Sequence, residues 1–250
     1  MISIVIPVYN AHDMTQECID AIRENTQDFE LIIIDNGSDP AFKAPFTGDI
    51  ELRVIRNEEN KGFPIAVNQG IRAAEGDIIC LLNNDVIVTE NWFERLEWHL
   101  LKYDIVGPMT NFCAGMQRTT VPVYQDKKEL NQRAIEFQVE NAFQSQEVNW
   151  IIGFCMAFKK SIFDEIGPFD ESMWPSSGEE INFCFRAQAA GHKIGIARDI
   201  YIHHFGSVTF QDLHNKGILN YPELCQKTSD HVSAKWGDFW QNQVTEKEAI

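Results

Sequence analysis

The chain has 250 residues, of which 44% are hydrophobic and 23% are charged, the balance of an ordinary globular protein. Its 37 acidic and 21 basic side chains give a formal net charge of −16, which argues against nucleic acid as a partner, because phosphate backbones are held mainly by clustered Lys and Arg. No run approaches the roughly 20 apolar residues of a membrane span, and the six cysteines, without a C-x-x-C pair, indicate reduced core thiols of a cytoplasmic protein.

The first half of the chain alternates strand-like and helix-like patterns. Short, mostly apolar runs predict strands at 2–8, 29–34, 52–55 and 78–82, of which the last should be fully buried. Amphipathic patterns predict helices that begin at Asp13, near Pro64 and near Glu90, with Asp13 as an N-cap. Such alternation favours an α/β fold with a mostly parallel central sheet flanked by helices on both faces.

The second half is less regular. An apolar strand is expected at 150–158, a helix at 179–190 that ends before Gly191, and one or two strands at 194–202. No repeat, low-complexity tract or Pro/Gly linker interrupts the chain, so a single domain over residues 1–250 is predicted.

Polar segments follow three of the predicted strands, at Tyr9-Asn10, Asp35–Asp39 and Asn83–Asp85. Each alone is typical of a turn. The carboxyl ends of parallel strands share one edge of a sheet, so together the three segments predict a binding crevice. Asp85 is expected to hold a divalent metal against a phosphate, since hard cations prefer oxygen ligands and an acidic protein needs a cation to bind a nucleotide diphosphate. Neither a G-x-G-x-x-G nor a P-loop sequence is present.

Several segments, in this order, resemble glycosyltransferase family 2. They are Ile4–Asn10, Ile34–Ser38, Asn60–Phe63 with Asn68–Gly70, Leu82–Asp85, Gly153–Met156, Ile166–Asp170, Glu179–Arg186 and His203–Gly206. The resemblance covers about residues 2–210, and the ordered set is more specific than any one segment. It implies an A-type nucleotide-diphospho-sugar transferase fold with a nucleotide-sugar half at 1–110, an acceptor-binding and catalytic half at 111–210 and a C-terminal tail at 211–250.

Carried over residue by residue, the resemblance assigns a set of donor contacts. These would be Pro7, Tyr9 and Asp35 around the base and ribose, Asn60, Gly62 and Phe63 as a wall beside the nucleotide, and Asn68, Asn83 and Asn84.

The metal ligand implied by the resemblance is Asp85, which would bind Mn²⁺ or Mg²⁺, with Asn83 standing where the family carries the first acid of its D-x-D motif. His203 or His204 would add a contact to the metal or the diphosphate. Side chains alternate along a strand, so one of the two histidines should face the site.

The acid pair Glu179-Glu180 matches the family's catalytic acids, of which the second is the usual base. The family more often has Asp second, so Glu179 remains an alternative. Spacing alone also fits a helix capping box formed by Ser177 or Ser176 with the glutamate three residues later. Trp174 and Gly153 would contact the acceptor.

The function implied is metal-dependent, inverting, non-processive transfer of one hexose or deoxyhexose from a nucleotide-diphospho-sugar to a glycan, a lipid-linked oligosaccharide or a protein, as in polysaccharide biosynthesis. A lipid-linked acceptor would bring the enzyme to a membrane surface. Two alternatives stay open: nucleotidyl transfer, disfavoured because no Gly-rich basic loop follows the first strand, and a degenerate transferase that only binds a sugar nucleotide or glycan, which Asn83 favours. The oligomeric state is not indicated.

Overall fold

A computed structural model describes residues 1–44, 50–120, 124–173, 178–206 and 220–244. Its centre is a mixed sheet with the strand order β3-β2-β1-β4-β8-β6-β9-β5, and β7 pairs with β9 beside this path. The strands are β1 Ile2–Val8, β2 Phe29–Asn36, β3 Glu51–Asn57, β4 Ile78–Leu82, β5 Val86–Ile87, β6 Ile105–Thr110, β7 Ser145–Val148, β8 Cys155–Lys159 and β9 Ile194–His204.

Helices flank the sheet. They are α1 His12–Asn25, α2 Phe63–Ala73, α3 Trp92–His99, α4 Lys127–Glu140, α5 Lys160–Ile166, α6 Glu179–Ala189 and α7 Tyr221–Val244, the last kinked at Gly237. Within the described ranges, no helix combines the length and the apolar character needed to cross a membrane.

Buried apolar runs form the predicted strands β1, β2 and β4, whereas β3 forms at the edge of the sheet and is mostly half-buried or exposed. β1, β2, β3 and β4 are mutually parallel, and β6 and β9 pair in parallel with each other. β8 is antiparallel to both β4 and β6, so it joins the two parallel groups in reverse orientation. The predicted α/β fold with a mostly parallel sheet between helices is therefore confirmed.

Two details of the expected elements are wrong. Residues 150–154 do not form a strand. The nitrogen of Ile152 donates to the Gln117 side chain, and the carbonyl of Phe154 accepts from the nitrogen of Asn83, so this stretch makes no continuous ladder with a neighbouring strand. Asp13 is not an N-cap: α1 starts at His12, after Ala11 in a left-handed conformation, and Asp13 lies in the first turn.

A separate small core attaches α7 to α6. Met173, Ile181, Phe185 and Val232 are buried together, and Trp236 packs against them. The C-terminal helix therefore rests on the helix that begins with the acid pair.

Candidate active site

One rim of the sheet collects the predicted site residues. The parallel strands β1, β2, β4, β6 and β9 all end at this rim, and β8, which runs in the opposite direction, begins there. Loops distant in sequence therefore meet along one edge, as the three polar strand ends predict.

The loops after β1, β2 and β3 are bonded to one another. We call residues 9–11, 35–42 and 57–62 the amide loops. The nitrogen of Asn10 donates to the Ser38 hydroxyl over 2.8 Å, and the nitrogen of Asp39 donates to the Asn10 side chain over 3.0 Å. Pro7 and Tyr9 are both half-buried at the edge of this group.

Asp35 is only 1% exposed, and its carboxylate is fully engaged. One oxygen accepts from the nitrogen of Ser38 and the other from the nitrogen of Phe42, both over 3.0 Å, and Arg56 forms an ion pair with it. Burial alone would raise the pKa of Asp35, but the hydrogen bonds from Ser38, Phe42 and Arg56 hold that pKa below its usual value. Asp35 is therefore an ionised anchor of the amide loops.

The side chains of Asn36, Asn57 and Asn60 continue this network. Asn36 donates to Asn60 over 3.0 Å and accepts from Asn57 over 2.9 Å, and the nitrogen of Gly62 donates to Asn60 over 2.9 Å. This network fixes the chain that enters α2 at Phe63, which is half-buried.

Asn68 is fully buried in α2 and bonds to a different part of the chain. Its amide donates to the Phe169 carbonyl and the Glu171 carboxylate, both over 2.9 Å, and accepts from the nitrogen of Phe169 over 2.9 Å. Asn68 of α2 is therefore bonded to the segment that leads toward α6 and not to the amide loops.

Asp85 and His204 face each other at the rim, with both residues 6% exposed. His204 Nε2 lies 3.2 Å from an Asp85 carboxylate oxygen and 3.5 Å from the Asn83 amide nitrogen. His204 Nδ1 lies 2.7 Å from the Phe112 carbonyl, which can only accept, so Nδ1 carries a proton and donates. In a neutral ring this leaves the Nε2 lone pair directed at Asp85, the arrangement that metal-binding histidines use. Asp85 and His204 are thus a donor set that fits a divalent cation.

The two neighbours of this pair have other partners. Asn84 is buried and donates to the Thr15 hydroxyl over 2.9 Å, which ties the end of β4 to α1. His203 Nδ1 contacts the Tyr124 hydroxyl, and burial raises the pKa of Tyr124 to about 12. Burial also lowers the pKa of His203. The structure brings His204, and not His203, to Asp85.

The acid pair opens α6, with Gly178 in the N-cap position. Glu179 is 3% exposed, whereas Glu180 is half-buried and accepts from the nitrogen of Gly178 over 3.1 Å. Desolvation raises the pKa of Glu180, and backbone N–H groups, including that of Gly153, partly offset the shift. A carboxylate with a raised pKa is a stronger base. Ser176, Ser177 and Trp174 lie outside the described residues.

A short stretch of chain connects the metal-type pair with the acid pair. The Phe154 ring stacks on the His204 ring with centroids 5.3 Å apart, and a Cβ at Gly153 would lie 3.4 Å from Glu180 Cβ. Asp85, His204, Phe154, Gly153 and Glu180 therefore form one chain of contacts, which we call the ledge.

The family's sequence profile, described as Glycosyl transferase family 2, matches residues 3–167, a range that includes Asp85, Gly153 and Phe154 of the ledge and ends before Glu180 and His204. The chain belongs to this family.

A relative and two solved structures illustrate the similarity. Glycosyltransferase AglE of Haloferax volcanii is 24% identical over 206 residues, which cover 80% of this chain and 65% of AglE, so the chain spans just under two thirds of that relative. GalNAc-T7, solved with UDP, GalNAc and Mn²⁺, has a TM-score of 0.63 at 16% identity. The match covers 82% of this chain and 43% of the GalNAc-T7 chain. The mannosyltransferase PcManGT of Pyrobaculum calidifontis, solved with GDP-Man and Mn²⁺, has a TM-score of 0.58 at 13% identity. The match covers 96% of this chain and 71% of the PcManGT chain. At these identities the structures show a shared fold, the A-type glycosyltransferase fold that the family resemblance implies.

Two site residues have no signal in the sequence. Arg56 reaches Asp35 only because β3 pairs with β2 in a register that puts these residues side by side. Phe112 orients His204 through its backbone carbonyl, which any residue type supplies. Away from the ledge, Asp170 of the Ile166–Asp170 segment accepts from Lys235 on α7 over 2.9 Å, a contact between residues 65 positions apart.

Proposed function

We propose that this protein transfers one sugar from a nucleotide-diphospho-sugar to an acceptor hydroxyl, with inversion at the anomeric carbon and with the help of a divalent metal. The observation that supports the proposal is the ledge, whose contacts connect Asp85 and His204 with Glu180, a carboxylate of raised pKa. The complexes of GalNAc-T7 with UDP and Mn²⁺ and of PcManGT with GDP-Man and Mn²⁺ support the same donor class.

Asp85 and His204 would hold Mn²⁺ or Mg²⁺. Within the described part of the chain, no third His, Cys, Asp or Glu joins them, which leaves positions for the oxygens of the donor diphosphate. The bound cation would neutralise the charge that develops on the departing diphosphate. His204 is oriented for this task by the Phe112 carbonyl.

Glu180 is the proposed base. As the acceptor oxygen forms its bond to the anomeric carbon, the bond from that carbon to the diphosphate oxygen breaks, and Glu180 takes the proton of the acceptor hydroxyl. Such proton transfer accelerates a reaction by about 10²–10⁴. Glu180 is favoured over Glu179 because it is only half-buried beside Gly153, whereas Glu179 is fully buried.

The amide loops are proposed to receive the base and ribose. Asp35 already holds Ser38, Phe42 and Arg56, so its proposed role is to fix these groups around the nucleotide. The hexose or deoxyhexose donor and the glycan, lipid-linked or protein acceptor are parts of the proposal that rest on the family resemblance. The proposed cytoplasmic location rests on the cysteine pattern.

The test is calorimetry with a panel of nucleotide sugars, with Mn²⁺ and with EDTA, followed by an assay for slow donor hydrolysis. Metal-dependent binding of one donor with hydrolysis to the inverted sugar, read by NMR of the fresh product, is the expected result. Absence of binding and hydrolysis for every donor would refute the transferase. Donor binding without hydrolysis or transfer to any acceptor would favour the degenerate binding module, for which Asn83 in the metal motif is the argument.

A further inference from the structure

The side-chain amide of Asn68 holds two distant parts of the chain together. Asn68 is fully buried in α2, and its nitrogen donates to the Phe169 carbonyl and to the Glu171 carboxylate, both over 2.9 Å. Its oxygen accepts from the nitrogen of Phe169 over 2.9 Å. A side-chain amide has two N–H donors, so both of them are used here. Asn68 therefore bonds Phe169 in both directions, across 101 positions of sequence.

The helix that carries Asn68 is itself fixed to the amide loops. The next side chain along α2, Gln69, exchanges two hydrogen bonds with Asn57, donating over 3.0 Å and accepting over 2.8 Å. α2 begins at Phe63, directly after the last of the amide loops. Two consecutive residues of one helix thus connect different regions, because Gln69 bonds to the amide loops and Asn68 to the segment before α6.

The helix that begins with the acid pair rests on the segment that α2 holds. We call residues 167–173 the support segment. Arg186 of α6 donates to the Pro168 carbonyl over 2.6 Å. The Phe169 ring stacks nearly parallel on the Phe183 ring of α6, with centroids 4.3 Å apart. The support segment is therefore bonded to α2 on one side and packed against α6 on the other.

These contacts reach the first turn of α6, where the proposed base lies. Asn182, two residues after Glu180, donates to the Asp170 carboxylate of the support segment over 3.3 Å. Phe183 follows Glu180 by three residues, a spacing that places two side chains on the same side of a helix. A shift of the support segment would therefore move the start of α6 and, with it, the Glu180 carboxylate.

We propose that Asn68 is a positioning residue that sets the place of Glu180 relative to the bound donor through the support segment, a role that rests on the proposed function. The base, the acceptor hydroxyl and the anomeric carbon must be held in a fixed geometry, and a misplacement of about 1 Å costs about 100-fold in rate. Asn68 connects the helix fixed to the amide loops, where the nucleotide is proposed to bind, with the segment that supports the base. It acts on the reaction only through these contacts.

The experiment measures single-turnover transfer rates of Asn68→Ala and Asn68→Asp at saturating donor and acceptor. Asn68→Asp keeps the oxygen that accepts from Phe169 but loses both donated bonds. Phe169→Leu breaks the stack on Phe183 without a change in α2, and it decides the matter if the Asn68 variants do not fold. Gln138→Ala is the matched control, because Gln138 is a buried amide that donates to the Glu90 carbonyl, outside the support segment. Thermal melting confirms folding, and calorimetry in Mn²⁺ measures the affinity for the nucleoside diphosphate.

The Asn68 variants and Phe169→Leu should transfer the sugar about 10- to 100-fold more slowly than the wild type, because the base is displaced. Their affinity for the nucleoside diphosphate should stay near the wild-type value, and Gln138→Ala should keep the wild-type rate. A double-mutant cycle tests the route of the effect. In the Glu180→Gln background, Asn68→Asp should change the remaining rate by less than about 2-fold, since no base is left to position.

Asn68 variants that transfer as fast as Gln138→Ala would overturn the positioning role, since the amide would then only stabilise the fold. An equal loss of rate with and without Glu180 would overturn it as well, because the effect would not pass through the base. Weaker binding of the nucleoside diphosphate without a loss of rate would make Asn68 a donor contact instead. A wild type that transfers no sugar from any donor refutes the proposed function and the positioning role together, whereas an active wild type with equally active Asn68 variants refutes the positioning role alone.

Discussion

The amide loops and the ledge are neighbours on one rim, but their polar groups are used differently. In the amide loops, Asp35, Asn36 and Asn60 bond mainly to one another and to the backbone. On the ledge, His204 Nε2 lies 3.2 Å from an Asp85 carboxylate oxygen, and Glu180 is half-buried with a raised pKa. The first region fixes the shape of the rim, and the second keeps reactive atoms available. Substitutions in the first should therefore lower stability, and those in the second should lower activity.

The largest effect is expected from Glu180→Gln. Donor binding and the melting temperature should stay near wild type, while the transfer rate should fall by about 10²–10⁴ because the proton acceptor is lost. Glu179→Gln is the matched comparison and should retain most of the rate. Fixed-time transfer assays measure the rates of the two variants. A larger loss of rate in Glu179→Gln than in Glu180→Gln would move the base to Glu179.

The same carboxylate predicts the acid limb of the pH profile. Glu180 must be ionised to accept a proton, and its pKa is raised above the ordinary value of 4.5, so the rate should fall as the pH drops through that higher value. The acid limb of a plot of kcat against pH measures this pKa. A limb at or below 4.5 would contradict the assignment.

Asp85→Ala and His204→Ala should each weaken metal-dependent donor binding by about 100-fold, with little change in donor binding measured in EDTA. His203→Ala is the control, because His203 contacts Tyr124 and not Asp85. Calorimetry with and without Mn²⁺ distinguishes them. A metal dependence that survives in His204→Ala but not in His203→Ala would reverse the assignment of the ligand.

A smaller effect, on stability, is expected from Asp35→Asn. The lost charge weakens the bonds to Ser38, Phe42 and Arg56 and should lower the free energy of unfolding by about 1–3 kcal/mol. Because the pKa of Asp35 is depressed in the folded state, its stabilisation is present above the unfolded value of about 3.9 and is lost as the pH falls through the folded value. Urea titrations at pH 7 and in acid should show the variant and wild type converging. Equal stability at pH 7 would contradict this role.

The smallest effect is expected from Lys235→Ala. Lys235 is 41% exposed, so its ion pair with Asp170 should contribute less than about 1 kcal/mol. The exposed Lys227, elsewhere on α7, supplies a matched control. Faster hydrogen exchange of α7 in Lys235→Ala than in Lys227→Ala is expected, and identical exchange would show that the ion pair does not hold the helix.

The sequence predicts most of the parallel half of the fold, because short buried apolar runs with turn formers at their ends carry a local signal. It does not predict the reversed β8, since strand pairing between residues such as Cys80 and Ala157 depends on distant partners. The expected metal ligand Asp85 lies at the rim, but the choice between His203 and His204 required the path of β9. Arg56 and Phe112 could not be identified, because their contacts depend on register and on a backbone atom. Trp174, the expected acceptor contact, stays a prediction.

The reversed strand β8 also determines where the polypeptide can be divided. β8 lies between β4 and β6 in the sheet, although both of those strands precede it in the chain. A fragment that stops at residue 110 would contain β4 and β6 but not the strand that separates them. Both would be left with unpaired backbone edges, which promote association between chains. Residues 1–110 are thus not expected to fold as a separate unit when expressed alone.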